Sequence, residues 1–249
     1  MPSDIFIKTY HKDFVWLEWC LKSIKKFASG FRDVVIVSEE GHPLPDSFLE
    51  ILPLKVFYVP FPTKVPTFIE HGLGYLWQQN IKLTWYNYSD ADEVLILDSD
   101  EMLTRVTTPD SFKIDNKFVW YYRPWKDAGS GICWKPSTDL LLGKESVYDA
   151  MRITGFFLQR KTTLEFQEYL CNHHKTNNIW DIFVKLNIAT CSEFNLFGNY
   201  ILLSNDDSYY KSFKDDISQS FNNTIKKDWS WGGVTPENIK EREKILSCE

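Results

Sequence analysis

No run of apolar residues in this chain approaches the ~20 needed to cross a bilayer. No basic segment leads into an apolar stretch at the start either, where Met1-Pro2-Ser3-Asp4-Ile5-Phe6-Ile7 moves directly into strand-like sequence. A signal peptide and a membrane span are therefore not expected. Paired cysteine motifs are missing. The five cysteines are odd in number with no C-x-x-C spacing, and they read as reduced thiols, which suits a cytoplasmic protein. A long basic run is also missing, and the net charge of −6 with a pI near 5.5 argues against a nucleic-acid or anionic-membrane surface. An anionic nucleotide remains compatible with that charge if a metal ion and a few local cations neutralise its phosphates. The chain carries neither the G-x-G-x-x-G of a dinucleotide fold nor the G-K-[ST] of a P-loop, and no internal repeat or low-complexity tract.

What is present is a long enough chain, 249 residues, to bury a large α/β core. Residues 4–9 read as a first strand, followed by the polar loop Tyr10-His11-Lys12-Asp13. Phe14, Leu17, Leu21 and Ile24 recur at helical spacing to about Phe27, and Gly30 stops that helix. Residues 33–38 are a second apolar strand leading into Glu39-Glu40-Gly41. A strand, helix and strand in this order form a βαβ unit and predict a parallel sheet. A third strand is expected at 54–59, then an extended loop through Pro60, Pro62 and Pro66, then a helix over 68–88 that carries Gln78, Gln79 and Lys82. The second half is less regular. Strands are expected at 118–122 and 151–159, the latter with Gly155 marking a close approach by a ligand or backbone, and a turn-rich, substrate-facing loop at 123–143. Helices are expected at 164–170 and 180–186, from Ser192 as N-cap, and from Pro236.

The chain turns on Glu93-Val94-Leu95-Ile96-Leu97-Asp98-Ser99-Asp100-Glu101-Met102. Four consecutive branched apolar residues read as a strand buried on both faces, and the run breaks directly into acids. The C-terminal ends of such strands are where open α/β sheets hold ligands. Asp98 and Asp100 are two apart and in a regular strand would share a face. Two hard oxygen donors so close repel unless a cation lies between them, so Mn²⁺ or Mg²⁺ with a phosphate-bearing substrate fits. The plainer reading is that these acids solubilise a strand end; D-x-D triplets often do no more.

These elements in this order resemble a GT-A glycosyltransferase, most closely the small single-domain viral and bacterial transferases that make surface glycans. Two segments carry the likeness besides the D-x-D: Tyr75-Leu76-Trp77-Gln78-Gln79-Asn80-Ile81-Lys82-Leu83 and Ser192-Glu193-Phe194-Asn195-Leu196-Phe197-Gly198-Asn199-Tyr200. The resemblance implies one α/β (Rossmann-like) domain over 1–249, its mostly parallel central sheet flanked by helices, with a nucleotide-binding half at 1–102 and irregular acceptor-side loops at 103–249. It implies a nucleotide-sugar donor, UDP-sugar favoured, and a glycan acceptor hydroxyl. Asp98 and Asp100 would hold the metal against the donor diphosphate, with Asp100 the direct ligand and Ser99 beside the donor. Thr9, Tyr10 and Glu39 would cradle base and ribose, and Gln78 and Lys82 would reach the nucleotide from the preceding helix. Many such enzymes add a late metal-ligating His; here no His follows His174, and Asn205 or Asp206 stands in that region.

An inverting transfer needs a carboxylate to deprotonate the acceptor. Glu193 is the candidate, with Asp127 and Asp139 in reserve; an acid in a first helical turn also simply favours the helix dipole. His173 and His174 point apart on a helix and read as polar side chains on the surface rather than ligands. Trp125, Trp134, Trp229 and Trp231 could stack on sugar, and Arg123, Lys126 and Arg152 could meet the diphosphate, with packing and solvation the plainer roles. Three rival readings are weaker. A haloacid-dehalogenase-type phosphatase would place its D-x-D near the start of the chain. A sugar nucleotidyltransferase would want a glycine- and basic-rich loop after the first strand. A carbohydrate-binding module would be a β-sandwich without a βαβ opening.

Overall fold

Buried β-branched residues organise the centre of the molecule. In a computed structural model, which describes residues 1–62, 72–151, 155–213, 224–228 and 230–247, β1 (Ser3–Lys8) and β2 (Val34–Glu39) are buried along their whole length. They pair in parallel, Ile5 opposite Val34, and β1 pairs in parallel on its other side with β4 (Glu93–Asp98), Ile5 opposite Leu95. β3 (Lys55–Val59) adds to β2 in parallel as a half-exposed edge. The opposite edge is β10 (Phe156–Gln159), antiparallel to β4, which completes the order β10-β4-β1-β2-β3. Strands with water on neither face carry continuous apolar runs, which is why alternation is absent from 94–97.

Helices cover this sheet. α1 (Phe14–Phe27) turns Leu17, Cys20, Leu21 and Ile24 inward, then ends as Ala28 becomes extended and Gly30 takes φ +76°. α2 (Asp46–Ile51) is a short helix that sequence periodicity does not predict. α3 (Leu73–Leu83) occupies the middle of the expected 68–88 helix; a 3₁₀ turn, Trp85–Asn87, takes over beyond it, and 63–71 lie outside the described residues. α3 buries Leu76 and Ile81, and Gln79 and Lys82 with them. Two polar side chains on the inner face of a helix signal a site rather than a core.

The second half adds β5 (Glu101–Leu103), β6 (Lys113–Ile114), β7 (Lys117–Tyr121) and β8 (Arg123–Pro124). The expected substrate loop at 123–143 is instead two 3₁₀ segments and α4 (Lys135–Leu142), with Trp125 buried and its indole donating to Ser146 Oγ at 3.1 Å. Short polar stretches with scattered glycines hide such tight turns from any periodicity test. β9 (Tyr148–Asp149) precedes β10, whose strand begins later than the sequence suggests; 152–154 lie outside the described residues. Gly155 stands just before β10 at φ +70°, where a Cβ would run into the Ile225 side chain, so the close approach there is to protein.

α5 (Arg160–His174), α6 (Ile179–Lys185) and α7 (Glu193–Leu203) follow, with Ser192 capping α7 by accepting from the Asn195 N–H at 3.3 Å. β11 (Tyr209–Ser212) joins β7 and β6 in a small sheet; β12 (Ile225–Lys227) pairs antiparallel with β5, Lys227 opposite Glu101; α8 (Pro236–Ser247) ends the described chain. That last strand pair delivers a lysine to the acids at the end of β4.

Candidate active site

β4 stops at Asp98, and Ser99-Asp100 form the turn into β5, so the acids fan out of the strand rather than alternate along it. The Asp98 N–H donates to Glu101 Oε2 at 3.0 Å, which folds the third acid back over the turn. Two lysines enter this cluster from opposite sides. Lys82 of α3 reaches Asp98 Oδ1 at 2.5 Å and Glu193 Oε1, at the start of α7, at 2.7 Å. Lys227 of β12 reaches Asp98 Oδ2 at 2.7 Å and Glu101 Oε1 at 3.5 Å. Gln78, one turn before Lys82, donates to Asp98 Oδ1 at 3.1 Å.

The electrostatics follow from this crowding. Burial pushes the Asp98 carboxyl up, but the Lys227 and Lys82 ammoniums outweigh it and hold Asp98 well below the usual carboxylate range. Burial first, then the Asp98 charge, lift Asp100 to about 6. Glu101 rises to about 8 by burial, with Lys227 working against the rise. Burial lowers both lysines, yet their carboxylate neighbours carry each above the ordinary value.

Asp100 is the acid left open. Its Oδ2 accepts from the Ser230 N–H at 3.1 Å, while Oδ1 is buried without a hydrogen-bond partner. An orphaned carboxylate oxygen in such a place costs free energy unless a cation or donor completes it. Hard oxygens suit Mg²⁺ or Mn²⁺, so the residues fit such an ion with Asp100 as its direct ligand. Both Asp98 oxygens are engaged by lysine, and Asp98 joins only if an ammonium moves away. Among the described residues Asp98 and Asp100 form no set of three with another His, Cys, Asp or Glu whose ligand atoms lie within 4.8 Å of one another. Remaining positions around an ion would fall to substrate oxygens and water.

The cluster floors a cleft of about 430 Å³ that Glu193, Ser99, Trp134 and Met151 also line. A second cleft of about 680 Å³ lies beside it, over the ends of β1 and β2, lined by Thr9, Tyr10, Glu39 and Lys8. Asp13, Tyr75 and Gln78 belong to both walls, so the two form one groove. Burial lowers Lys8 to about 8 and raises Asp13.

Nine of the residues singled out by motif and resemblance line this groove: Thr9, Tyr10 and Glu39 on one side, and Gln78, Lys82, Asp98, Ser99, Asp100 and Glu193 on the other. Other candidates fall away from it. Asp139 is held by Lys135 at 2.6 Å and by Ser146, Asp127 is exposed in a 3₁₀ turn, and Arg123 pairs with buried Asp149 at 2.8 Å. Lys126 is exposed, and His174 is bound to the Leu141 carbonyl at 2.7 Å. Asp206 accepts from Thr162 Oγ1 at 2.7 Å and from the Ser208 N–H at 2.8 Å, which makes it a turn residue. Arg152, Trp229 and the Trp231 side chain lie outside the described residues. Sequence reasoning missed Asp13, Tyr75, Lys227 and Ser230 as groove residues. Asp13 was visible as an acid in the polar loop after the first strand; Lys227 had no local signal.

The open, mostly parallel sheet flanked by helices, with acids at the end of a central strand, is the α/β fold expected from the sequence. Among solved structures the chain resembles the galactosyltransferase LgtC, solved in complex with donor and acceptor sugar analogs, at a TM-score of 0.53 and 10% identity over 99% of this chain and 97% of that one. It also resembles the glycosyltransferase GlyE of Streptococcus pneumoniae TIGR4, at a TM-score of 0.51 and 12% identity over all of this chain and 61% of that one. At such identities the likeness is one of fold. No family model matches the chain, and no curated protein matches it in sequence.

Proposed function

We propose that this protein is a metal-dependent glycosyltransferase that moves a sugar from a nucleoside-diphosphate sugar, a UDP-sugar, to a glycan acceptor hydroxyl. The observation that carries the reading is the single groove in which a nucleoside-sized cleft adjoins a buried acid–lysine cluster at the end of β4. The shared fold with glycosyltransferases supports it. Tyr10 and Thr9 receive the base, Glu39 the ribose hydroxyls, and Gln78 and Lys82 the donor's central part. Asp100, with Asp98 beside it, would hold Mn²⁺ or Mg²⁺, which would supply Lewis-acid assistance to departure of the nucleoside diphosphate. Lys82 and Lys227 add fixed positive charge to a largely buried cluster, where charge counts for more than in solvent.

The inverting route needs a base, and Glu193 fills that role in our reading. Lys82 engages its Oε1, and Oε2 carries no hydrogen bond among the described residues, leaving that atom for the acceptor proton. A cytoplasmic site of action accords with the free thiols of Cys20, Cys133, Cys171 and Cys191. Among the described residues no helix is long and apolar enough to cross a membrane.

A thermal-shift screen of nucleotides with and without Mn²⁺ tests the proposal. UDP should stabilise the protein only when Mn²⁺ is present, and Asp100→Ala should abolish that response while leaving the unliganded melting curve near wild type. Absence of any nucleotide response, with phosphate released from a generic phosphoester, would point to the phosphatase reading. Metal-dependent UDP binding retained in Asp100→Ala would falsify the metal assignment.

A further inference from the structure

Away from the acid cluster, the described residues hold one other group with metal-ligand chemistry: His11, Glu39 and His42, whose ligand atoms all lie within 4.8 Å of one another. Topology assembles it. Parallel β1 and β2 end on the same side of the sheet; His11 opens the 3₁₀ turn after β1, and Glu39 is the last residue of β2. Gly41, at φ +82°, reverses the chain, and the His42 N–H returns toward the Glu39 carbonyl at 3.4 Å. A left-handed residue is needed for so tight a return, and glycine takes it without strain. The His42 ring then lies on the His11 ring, 3.8 Å between centroids and 18° from parallel.

The three side chains do not satisfy one another. His11 Nδ1 stands 3.4 Å from Glu39 Oε2, long for a hydrogen bond, and the His42 ring nitrogens have no hydrogen-bond partner among the described residues. Two imidazoles and a carboxylate are the donor set of open tetrahedral zinc sites, the fourth position going to water. Imidazole nitrogen selects Zn²⁺, Cu²⁺ or Ni²⁺, whereas all-oxygen sites suit Mg²⁺ or Mn²⁺. This group therefore differs in chemical class from Asp98 and Asp100.

We infer that His11, Glu39 and His42 bind a borderline divalent ion, Zn²⁺ by ligand chemistry, at the nucleoside end of the groove. His42 is exposed, so rotation of its side chain out of the stack turns two parallel rings into converging ligands. Glu39 and His11 supply the less mobile half, with side chains 12% and 32% exposed. Binding engages Glu39, and Zn²⁺ then opposes nucleotide binding without touching the acid cluster. That consequence rests on the proposed function; the metal site itself does not.

Titration of the full chain with Co²⁺, read by its visible d–d absorption and reversed by Zn²⁺, tests the site. Wild type should give a saturable tetrahedral cobalt spectrum without thiolate charge-transfer bands. His42→Ala should weaken binding by about 100-fold or more, beyond the usual effect of altering a residue that only supports a ligand. His11→Ala should do the same, and Asp100→Ala should keep the spectrum. Absence of visible bands in wild type, or bands undiminished in His42→Ala, overturns the site. Uridine nucleotide affinity measured with and without Zn²⁺ separates the two claims. Affinity lowered by Zn²⁺ in wild type but not in His42→Ala supports the antagonism, and nucleotide binding indifferent to Zn²⁺ alongside an intact cobalt spectrum overturns it. An intact cobalt spectrum with no nucleotide binding under any condition removes the proposed function and leaves the metal site standing.

Discussion

Replacing Lys82 with methionine keeps the length of the side chain and deletes its charge. The Lys82 side chain is 2% exposed, and its ammonium lies 2.5 Å from Asp98 Oδ1 and 2.7 Å from Glu193 Oε1. Two acids lose a counterion at once, but not equally. Asp98 keeps Lys227 at 2.7 Å, whereas Glu193 keeps no cation within ion-pair distance among the described residues. Breaking one side of a buried ion pair costs about 3–5 kcal/mol, and the retained Lys227 contact places this case near the lower end, ~3 kcal/mol. At about 2–4 °C per kcal/mol for a chain of this size, Tm should fall by ~6–12 °C.

The loss should also depend on pH. In the wild type Lys227 and Lys82 outweigh burial and hold Asp98 below its ordinary value, so this group's contribution to stability is present above the ordinary carboxylate pKa and is lost as pH falls through the folded value. Without Lys82 the Asp98 carboxylate keeps only one of the two ammoniums that hold it down. The deficit of Lys82→Met should therefore be largest near neutrality and shrink on acidification as Asp98 takes up a proton. Urea unfolding of both proteins at neutral and mildly acidic pH measures it. A deficit below about 1 kcal/mol at neutral pH, inside the range of exposed pairs, or one equal at both pH values, refutes the view of Lys82 as the buried link between the two acids.

Other expectations are independent of that one. Glu193→Gln should leave donor binding near wild type and lower transfer by about 100-fold or more, the usual scale for a lost general base, and near-normal turnover removes Glu193 from that role. Burial holds His174 below the ordinary imidazole value, so its stabilising contribution is full above that value and is lost as pH falls through the folded one; His174→Gln should lose less stability than wild type on acidification from neutral pH, and parallel pH profiles would contradict this. Gly198 sits inside α7, where alanine ordinarily gains about 1 kcal/mol. Here a Cβ would run into the Trp120 indole and the Ala150 side chain, so Gly198→Ala should instead destabilise by about 1–3 kcal/mol in chemical denaturation, and a stabilised variant would show that the packing is looser than described.

Local pattern carried much of this molecule. The strands at 3–8 and 34–39 and the helix between them follow from apolar period alone, and the acid-tipped strand from an apolar run broken by Asp98. Gln78 and Lys82 share a helix face because they are four apart, and the Ser192 cap was written in residue type. The shape of 123–143 was not legible, since its tight turns have no period to detect.

What the chain of residues determined by itself was which side chains reach the C-terminal ends of the first, second and fourth strands, because each lies within a few residues of an apolar run of recognisable period. Tertiary structure alone decided what meets them there. Lys227 lies 129 positions from Asp98 and arrives on a three-residue strand, Ser230 crosses 130 positions to Asp100, and Glu193 crosses 111 to Lys82. Periodicity reports only the face a residue presents to its own element; pairings across such separations follow from how the whole sheet and its helices pack.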